Sequence, residues 1–292
     1  MSTGPEIPKR GLQVVIVAYG DAATIRPCLD AIAGAHPTTV IDNSSNSQTK
    51  QLVESYGLDY HDPGKNLGFA AGVNTALKLT AGFTQDVLLL NPDAVIDAAG
   101  IERLRERLHK NHDVACVAPA QEGPSGSDRV AWPVPSPSGQ WLEAFGMTAL
   151  DTKPVFLIGS ILLIKGEALA DVGLFDERFF LYAEETDWQM RAFAKGWSAA
   201  LVPEVKAFHL GAGTGGHRSV RRSHFYASEE LLVRKHYGSS GWLSYRAAKL
   251  TGAALRAALR SRSRRADAVE RFRYFWNSPV RLRAELGSSR AG

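Results

Sequence analysis

The chain has 292 residues, 45% hydrophobic and 22% charged, which is enough to bury a full core and excludes collagen-like and wholly disordered classes. Its two cysteines, Cys28 and Cys116, have no CxxC neighbour, so neither a disulfide framework nor a cysteine zinc site is indicated and a reducing cytoplasm is the expected setting. The net charge of +4 is unevenly spread: residues 245–292 hold 12 Lys and Arg against Asp267, Glu270 and Glu285, a net +9 that leaves −5 on the rest, and such a tail suits an anionic partner, whether nucleic acid or membrane face.

The opening residues MSTGPEIPKRG lack the apolar stretch of a signal peptide, so no secretion is expected. Residues 12–18 read as a buried strand, and 22–33 as a helix with Ile25, Leu29 and Ile32 on one face. A second strand over 38–41 ends at the turn-forming Asp42-Asn43-Ser44-Ser45. Helical patterns follow over 48–56 and 69–80, the latter entered through Asn66-Leu67-Gly68. Residues 86–90 are nearly all apolar, as in a strand covered on both faces, and stop at Asn91-Pro92-Asp93 because proline cannot donate to a sheet ladder. A helix over 101–111 should bury Ile101, Leu104 and Leu108, with a strand over 114–117 after it. This alternation predicts an α/β fold of right-handed βαβ units around a mostly parallel sheet flanked by helices.

Residues 122–140, rich in Gly, Pro and Ser with Trp132 and Trp141 nearby, read as a mobile loop. The longest apolar run, 155–164, is half the roughly 20 residues a membrane span needs and is interrupted by Gly159 and Ser160; its 156–164 portion reads as a strand. A helix over 184–195 stops at Gly196, and short extended pieces over 199–202 and 205–208 lead to His209. The chain is helical after Ser223. Within 243–260, Leu243, Ala247, Leu250, Ala254 and Ala258 recur at helical spacing, with Arg246, Lys249, Arg256 and Arg260 on the other side. That is a basic amphipathic helix, to be packed on the body or laid on a membrane. The expected division is a catalytic domain over 1–217 and a basic helical region over 218–292.

Ala18-Tyr19, Asp42-Asn43 and Asn91-Pro92-Asp93 all end predicted strands, and that edge of an open parallel sheet is where ligands bind. Neither a GxGxxG nor a P-loop is present; the glycine run at 211–216 resembles a phosphate loop in composition alone. Asp93 is a hard oxygen ligand suited to Mg²⁺ or Mn²⁺ on a diphosphate, or else a cap for the next helix. Glu184, Glu185 and Asp187 open a helix whose dipole favours acids, and beside the aromatic run 179–182 they also offer a general base. Asp187 and Arg191 are expected to form a surface pair. His209 stands as either a ligand or a structural histidine.

Together these motifs resemble the family 2 glycosyltransferases of GT-A fold, in particular the rhamnosyltransferase-like bacterial cell-wall and polysaccharide enzymes. The resemblance rests on Val15-Ile16-Val17-Ala18-Tyr19, on Ile41-Asp42-Asn43-Ser44-Ser45, on residues 66–74 from Asn66 to Asn74, on Leu88-Leu89-Leu90-Asn91-Pro92-Asp93, and on residues 173–187 followed by Arg191 and Gly196-Trp197. It implies a nucleotide pocket lined by Ala18 and Tyr19, a pyrimidine held by Asp42 beside Asn43, and a donor site shaped by Asn66, Gly68, Phe69, Gly72, Asn74 and Asn91. It further implies that Asp93 coordinates Mg²⁺ or Mn²⁺ with His209 completing the site, that Glu185 is the catalytic base, and that Trp132, Tyr182 and Glu184 face the acceptor. Two departures stand out: Ala18-Tyr19-Gly20 replaces the family's Thr-Tyr-Asn, and Glu185 stands where relatives carry Asp, extending the base by about 1 Å.

The implied activity is inverting, metal-dependent transfer of L-rhamnose from dTDP-L-rhamnose, with a UDP-sugar such as UDP-galactofuranose as second choice. The acceptor would be a hydroxyl of a glycan or polyprenyl-diphosphate-linked sugar, met in the cytoplasm or on the inner membrane face, where the basic tail would bind; a homodimer is compatible. A sugar nucleotidyltransferase would need a Gly-rich, Arg/Lys-bearing loop after the first strand, which Gly20-Asp21-Ala22-Ala23 does not supply. A nucleic-acid binder would rest only on the tail and the arginine cluster at 262–265, with no recognition motif, so no nucleic acid is expected. Asp42, Asp93 and Glu185 together argue against a catalytically dead relative.

Overall fold

A computed structural model describes residues 11–32, 34–80, 85–147, 154–211, 218–259 and 262–288. Of the glycine run only Gly211 falls among them, and of the arginine cluster only the Arg265 side chain; Arg260 lies outside. The chain forms two compact units, the first made of the described residues up to Trp132 with Val155–Arg178 and Glu184–Gly215. The second comprises Pro133–Pro154, Phe179–Ala183 and the chain from Gly216 onward.

In the first unit β1 (Leu12–Ala18) is buried at all seven positions, as its Val- and Ile-rich sequence requires of a strand covered on both faces. α1 (Ala22–Ile32) buries Ile25, Cys28, Leu29 and Ile32, and β2 (Thr38–Asp42) runs parallel to β1 with Ala18 opposite Asp42. α2 (Ser47–Ser55), capped by the Asn46 side chain, leads to β3 (Asp59–His61), parallel to β2. α3 (Phe69–Leu79) crosses β1 so closely that a Cβ on Gly72 would sit 2.9 Å from Val17 Cγ1. β4 (Asp86–Leu90) then pairs parallel to the other side of β1.

Beyond β4 come β5 (Ala94–Val95) and α4 (Ala98–Lys110), whose cap is Asp97, accepting the Gly100 N–H at 2.7 Å. Asp93 is therefore no helix cap. β6 (Val114–Gly123) turns back on itself through β7 (Gly126–Asp128), after which β8 (Ala131–Pro133) and α5 (Pro137–Ala144) follow. The stretch read as a mobile loop thus holds a hairpin, a strand and a helix start; its Gly and Pro residues are turn punctuation between short elements.

The strand expected over 156–164 is two strands, β9 (Val155–Leu157) and β10 (Ile161–Ile164), because β9 joins β8 in a separate ribbon while β10 enters the main sheet between β4 and β6. α6 (Gly166–Val172) and α7 (Glu184–Ala194) precede β11 (Ser198–His209). β11 merges the two expected short pieces into one strand whose register on β6 shifts between Val202 and Lys206, around Pro203, which has no N–H for the ladder.

The main sheet runs β3-β2-β1-β4-β10-β6-β11-β5 with β7 attached to β6; β10 and β5 are antiparallel to their neighbours. α1, α2 and α4 cover one face through Leu29, Val53 and Leu104, and α3, α6 and α7 cover the other through Val73, Leu169 and Trp188. Trp188 stacks on Phe175 and donates its indole N–H to the Gly173 carbonyl at 2.9 Å. The Asp187–Arg191 pair is not on the surface: Asp187 is fully buried, and Arg191 also donates to the carbonyls of Val172 and Leu174, tying α7 to the end of α6.

The second unit packs α5 with α8 (Arg218–Leu259), α9 (Arg262–Trp276) and α10 (Pro279–Ser288). α8 is two helices meeting at Gly238, whose φ of 69° suits glycine. The core is aromatic, built on Tyr226, Trp242, Tyr245 and Phe275. Leu250 packs on this core as its place in the stripe requires, but the rest of the expected faces over 243–260 are exchanged. Leu243, Ala247, Ala254 and Ala258 are exposed, whereas Arg246 donates to the carbonyls of Phe275 and Trp276, and Lys249 is buried against Glu229 at 2.7 Å. Trp242 and Tyr245 bury more apolar area than the Leu/Ala stripe, and Glu229 neutralises the lysine that turns inward with them. Among the described residues no helix is long and apolar enough to cross a membrane.

Candidate active site

The parallel pairing brings the ends of β1 and β2 together at one edge. There the Asn43 N–H donates to the Ala18 carbonyl, the Gly20 N–H to Ser44 Oγ, and the Asn46 side chain to the Gly20 carbonyl. Asp42 is fully buried and its carboxylate is occupied by the protein: it accepts from Ser44 N at 2.9 Å, Ser44 Oγ at 2.6 Å, Asn46 N at 2.8 Å and Tyr60 Oη at 3.0 Å. Burial and then this carboxylate push the Tyr60 phenol well above its ordinary value. Asp42→Asn would aim an amide N–H group at some of these four donors. We expect it to lower stability by about 3 kcal/mol, read by denaturant melts.

The amide residues on this edge also serve the backbone. Asn43 donates to the Gly68 carbonyl and accepts from Leu67 N, Asn66 Oδ1 accepts from Gly68 N, and Gly68 takes a φ of 80° to enter α3. Asn74 is buried and clasps Phe175 through both its N–H and its carbonyl, with a further bond to Glu177. Of the sequence-predicted donor residues, Asp42, Asn43 and Asn66 shape the rim through these bonds and Ala18 through its carbonyl, Gly72 lets α3 approach β1, and Asn74 ties α3 to Phe175. Tyr19 is about half exposed at the end of β1, and Phe69 is partly buried against the core beneath α3.

At the other side of the sheet β5 pairs antiparallel with β11, setting His209 opposite Ala94. His209 Nε2 lies 3.3 Å from Asp93 Oδ1 and 3.5 Å from the Asn91 side-chain nitrogen, and the Leu210 N–H donates to the Asp93 carbonyl. A buried carboxylate beside an imidazole is a donor set that suits Mg²⁺ or Mn²⁺. Among the described residues there is no group of three or more His, Cys, Asp or Glu that could hold a metal; Asp93 and His209 stand as a pair.

α7 begins with the acid pair, entered through Tyr182 and Ala183, which both adopt positive φ, a strained backbone for non-glycine residues. Glu184 is buried and Glu185 half-buried, and Oε2 of each has no hydrogen-bond partner. Burial, then the Glu185 charge, lifts the Glu184 carboxyl well above the usual range. Burial also raises Glu185, opposed by N–H groups of Glu185, Gly159 and Thr186 that favour its charged form. Because Glu184 keeps its proton when folded above the pH where the unfolded chain loses it, stability falls as pH rises past the ordinary carboxylate range. Glu184→Gln should accordingly raise Tm by a few degrees at neutral pH and flatten the decline, which scanning calorimetry across pH 4–8 reads directly.

Of the acceptor candidates, Trp132 in the first unit donates its indole N–H to the Arg129 carbonyl beneath the Arg129 guanidinium, and Tyr182 in the second packs its ring edge-on to Phe225. Sequence reasoning did not place Gly159, Ser160 or Gln121 in the site. Ser160 accepts the Asn91 N–H through its carbonyl at 2.8 Å, one residue from the Gly159 N–H that meets Glu185. The signal was the Gly-Ser interruption of an otherwise apolar run.

The model of a family described as glycosyl transferase family 2 matches residues 13–172. A low-salt glycan biosynthesis hexosyltransferase of Haloferax volcanii is 27% identical over 68% of this chain, which spans 66% of that relative's length. An N-acetylglucosaminyl-diphospho-decaprenol L-rhamnosyltransferase of Mycobacterium tuberculosis is 27% identical over 79% of this chain and 86% of its own. Among solved structures, a mannosyltransferase of Pyrobaculum calidifontis in complex with GDP-Man and Mn²⁺ superposes with a TM-score of 0.57 at 16% identity, covering 94% of this chain and 82% of that one.

Proposed function

This chain belongs to glycosyl transferase family 2, and from that premise we propose that it moves a hexose with inversion from a nucleoside-diphosphate donor to an acceptor hydroxyl, L-rhamnose from dTDP-L-rhamnose being the favoured sugar. Its α/β unit has the GT-A fold. The observation that carries the reading is that the two residues Gly159-Ser160 contact both chemistries such a transfer needs: the loop of Asp93 through Asn91, and the carboxylate of Glu185.

In this reading Glu185, held by N–H groups and already basic for a carboxylate, accepts the proton of the attacking hydroxyl. The new C1–O bond forms as the bond from C1 to the diphosphate oxygen breaks on the opposite face, so one displacement inverts the anomeric carbon and no covalent enzyme intermediate is needed. Burial and the Glu185 charge raise the Glu184 carboxyl well above the usual range, while N–H groups favour the charged form of Glu185, which makes Glu185 the member of the pair better placed to ionise. Asp93 and His209 would hold Mg²⁺ or Mn²⁺, which supplies positive charge to the departing diphosphate. Tyr19, Asn74 and the rim built by Asp42, Asn43, Asn66 and Gly68 would receive the nucleotide.

The mycobacterial L-rhamnosyltransferase, matched over 86% of its length, supports rhamnose ahead of a UDP-sugar such as UDP-galactofuranose, and a polyprenyl-diphosphate-linked or other glycan acceptor in cell-wall or polysaccharide synthesis. The second unit would serve the acceptor or an anionic membrane face, its exposed Leu243 and Trp276 and its arginines suiting a lipid headgroup layer; sedimentation with phosphatidylglycerol vesicles tests this. For the donor, calorimetric titration of dTDP-rhamnose, UDP-galactofuranose, UDP-glucose and GDP-mannose, with and without Mn²⁺, should show Mn²⁺-dependent binding of dTDP-rhamnose. Binding of another donor would reassign the sugar, and binding of none would remove the reading.

A further inference from the structure

Gly159 and Ser160 lie between β9 and β10 and touch both halves of the site. The Gly159 N–H meets the Glu185 carboxylate, and a Cβ on Gly159 would contact Glu185 Cβ and Cγ at 3.4 Å. Ser160 receives the Asn91 N–H on its carbonyl at 2.8 Å. Regular pairing stops on either side of this dipeptide, at the Ile158 N–H to the Val130 carbonyl and at Ile161 opposite Leu90. Between those points it is held by the Asn91 N–H on the Ser160 carbonyl and by one side-chain anchor, Ser160 Oγ donating to Gln121 Oε1 at 2.8 Å.

That anchor is fully inside. Ser160 is 5% exposed and Gln121 1%, and Gln121 Nε2 is buried with no hydrogen-bond partner. A leucine or methionine would fill the position without leaving an amide N–H unsatisfied, which packing alone would favour. We propose that Ser160 and Gln121 are positioning residues: their buried bond fixes the Gly159-Ser160 dipeptide, and the dipeptide in turn sets the Glu185 carboxylate and the Asp93 loop at one separation. The proposal rests on the glycosyl-transfer reading for what that separation is for, not for the contact itself.

The test compares Ser160→Ala, Ser160→Thr, Gln121→Met and the double variant Ser160→Ala/Gln121→Met. Carboxyl-detected NMR follows the titration of Glu185 in a Glu184→Gln background, so that one carboxyl of the pair is read. Loosening the dipeptide weakens the Gly159 N–H bond to the charged form, so the Glu185 midpoint should rise by about half a pH unit or more in Ser160→Ala and Gln121→Met and return in Ser160→Thr. The double variant, with neither polar partner left orphaned, should regain melting temperature without regaining the wild-type midpoint. With a donor in hand, kcat should fall about 10- to 100-fold at near-constant donor KM. Unchanged Glu185 titration in all four variants, with only Tm affected, would reduce the pair to a packing contact and overturn the proposal. Absence of donor binding by the wild-type protein, with the titration shift present, would instead count against the glycosyl-transfer reading alone.

Discussion

Asp93→Ala is expected to abolish Mn²⁺-dependent donor binding and to lower transfer by at least about 10³-fold, without unfolding the protein. A nucleoside diphosphate leaving a sugar develops negative charge on its oxygens, and about 4 kcal/mol of lost electrostatic stabilisation corresponds to that factor. The backbone bond from Leu210 to the Asp93 carbonyl survives the substitution, α4 keeps its own cap in Asp97, and the side chain removed is one that faces His209. His209→Ala should act in the same direction but more weakly, about 10- to 100-fold, because a neutral imidazole adds a donor and no charge. Calorimetry with and without Mn²⁺, beside thermal melts, separates the two effects. Equal donor affinity of Asp93→Ala and wild type in Mn²⁺ would end the metal assignment.

The first half of the fold was legible because its strands are short, apolar and punctuated: β1 and β4 have the bounds their sequences mark, and Ile101, Leu104 and Leu108 are buried as their spacing requires. What failed was any choice that depends on competition between neighbours. In α8 the Leu243–Ala247 stripe and the Trp242–Tyr245 pair lie one or two residues apart, and it is Trp242 and Tyr245 that turn inward, in one cluster with Tyr226 and Val233 of the same helix and Phe275 of α9. The break at Gly159-Ser160 was visible in sequence as an interruption, but its meaning depends on Gln121 and Glu185, 39 residues before Ser160 in the chain and in a later helix.

The candidate site was legible to a different degree. Residue types at strand ends pointed to one edge of the sheet, since the α/β layout dictates where side chains of β1, β2 and β4 terminate. Their individual tasks were not visible. The resemblance gives Asp42 a pyrimidine to hold, and in the fold its oxygens are taken by Ser44, Asn46 and Tyr60; Asn74 clasps Phe175, 101 residues away. The bonds from Ser44 and Asn46 are local to the turn, whereas those from Tyr60 to Asp42 and between Asn74 and Phe175 belong to tertiary approach, which no local pattern encodes. The same holds for Asp93, whose alternative as a helix cap is removed only by seeing Asp97 in that role.

Glu185→Gln should lower transfer by about 10²- to 10⁴-fold while leaving donor affinity and Mn²⁺ dependence within about twofold of wild type. The amide keeps the size of the side chain, so the geometry imposed by the Gly159 N–H is disturbed little; what disappears is the ability to accept a proton. In the proposed reading donor binding would belong to Asp93, His209 and the β1–β2 rim, which Gly159-Ser160 links to the base. The pH dependence gives an independent check with a fixed sign. The base must be deprotonated, and burial raises its titration above the usual carboxylate range, so activity should decline on acidification at a pH higher than an ordinary glutamate would give, and the residual activity of Glu185→Gln should lack that limb. Glu185→Asp restores the carboxylate on a stem shorter by one methylene, withdrawing it from the Gly159 N–H. It should therefore recover part of kcat with an altered acid limb, whereas a residue needed only to cap α7 would be replaced by Asp without loss.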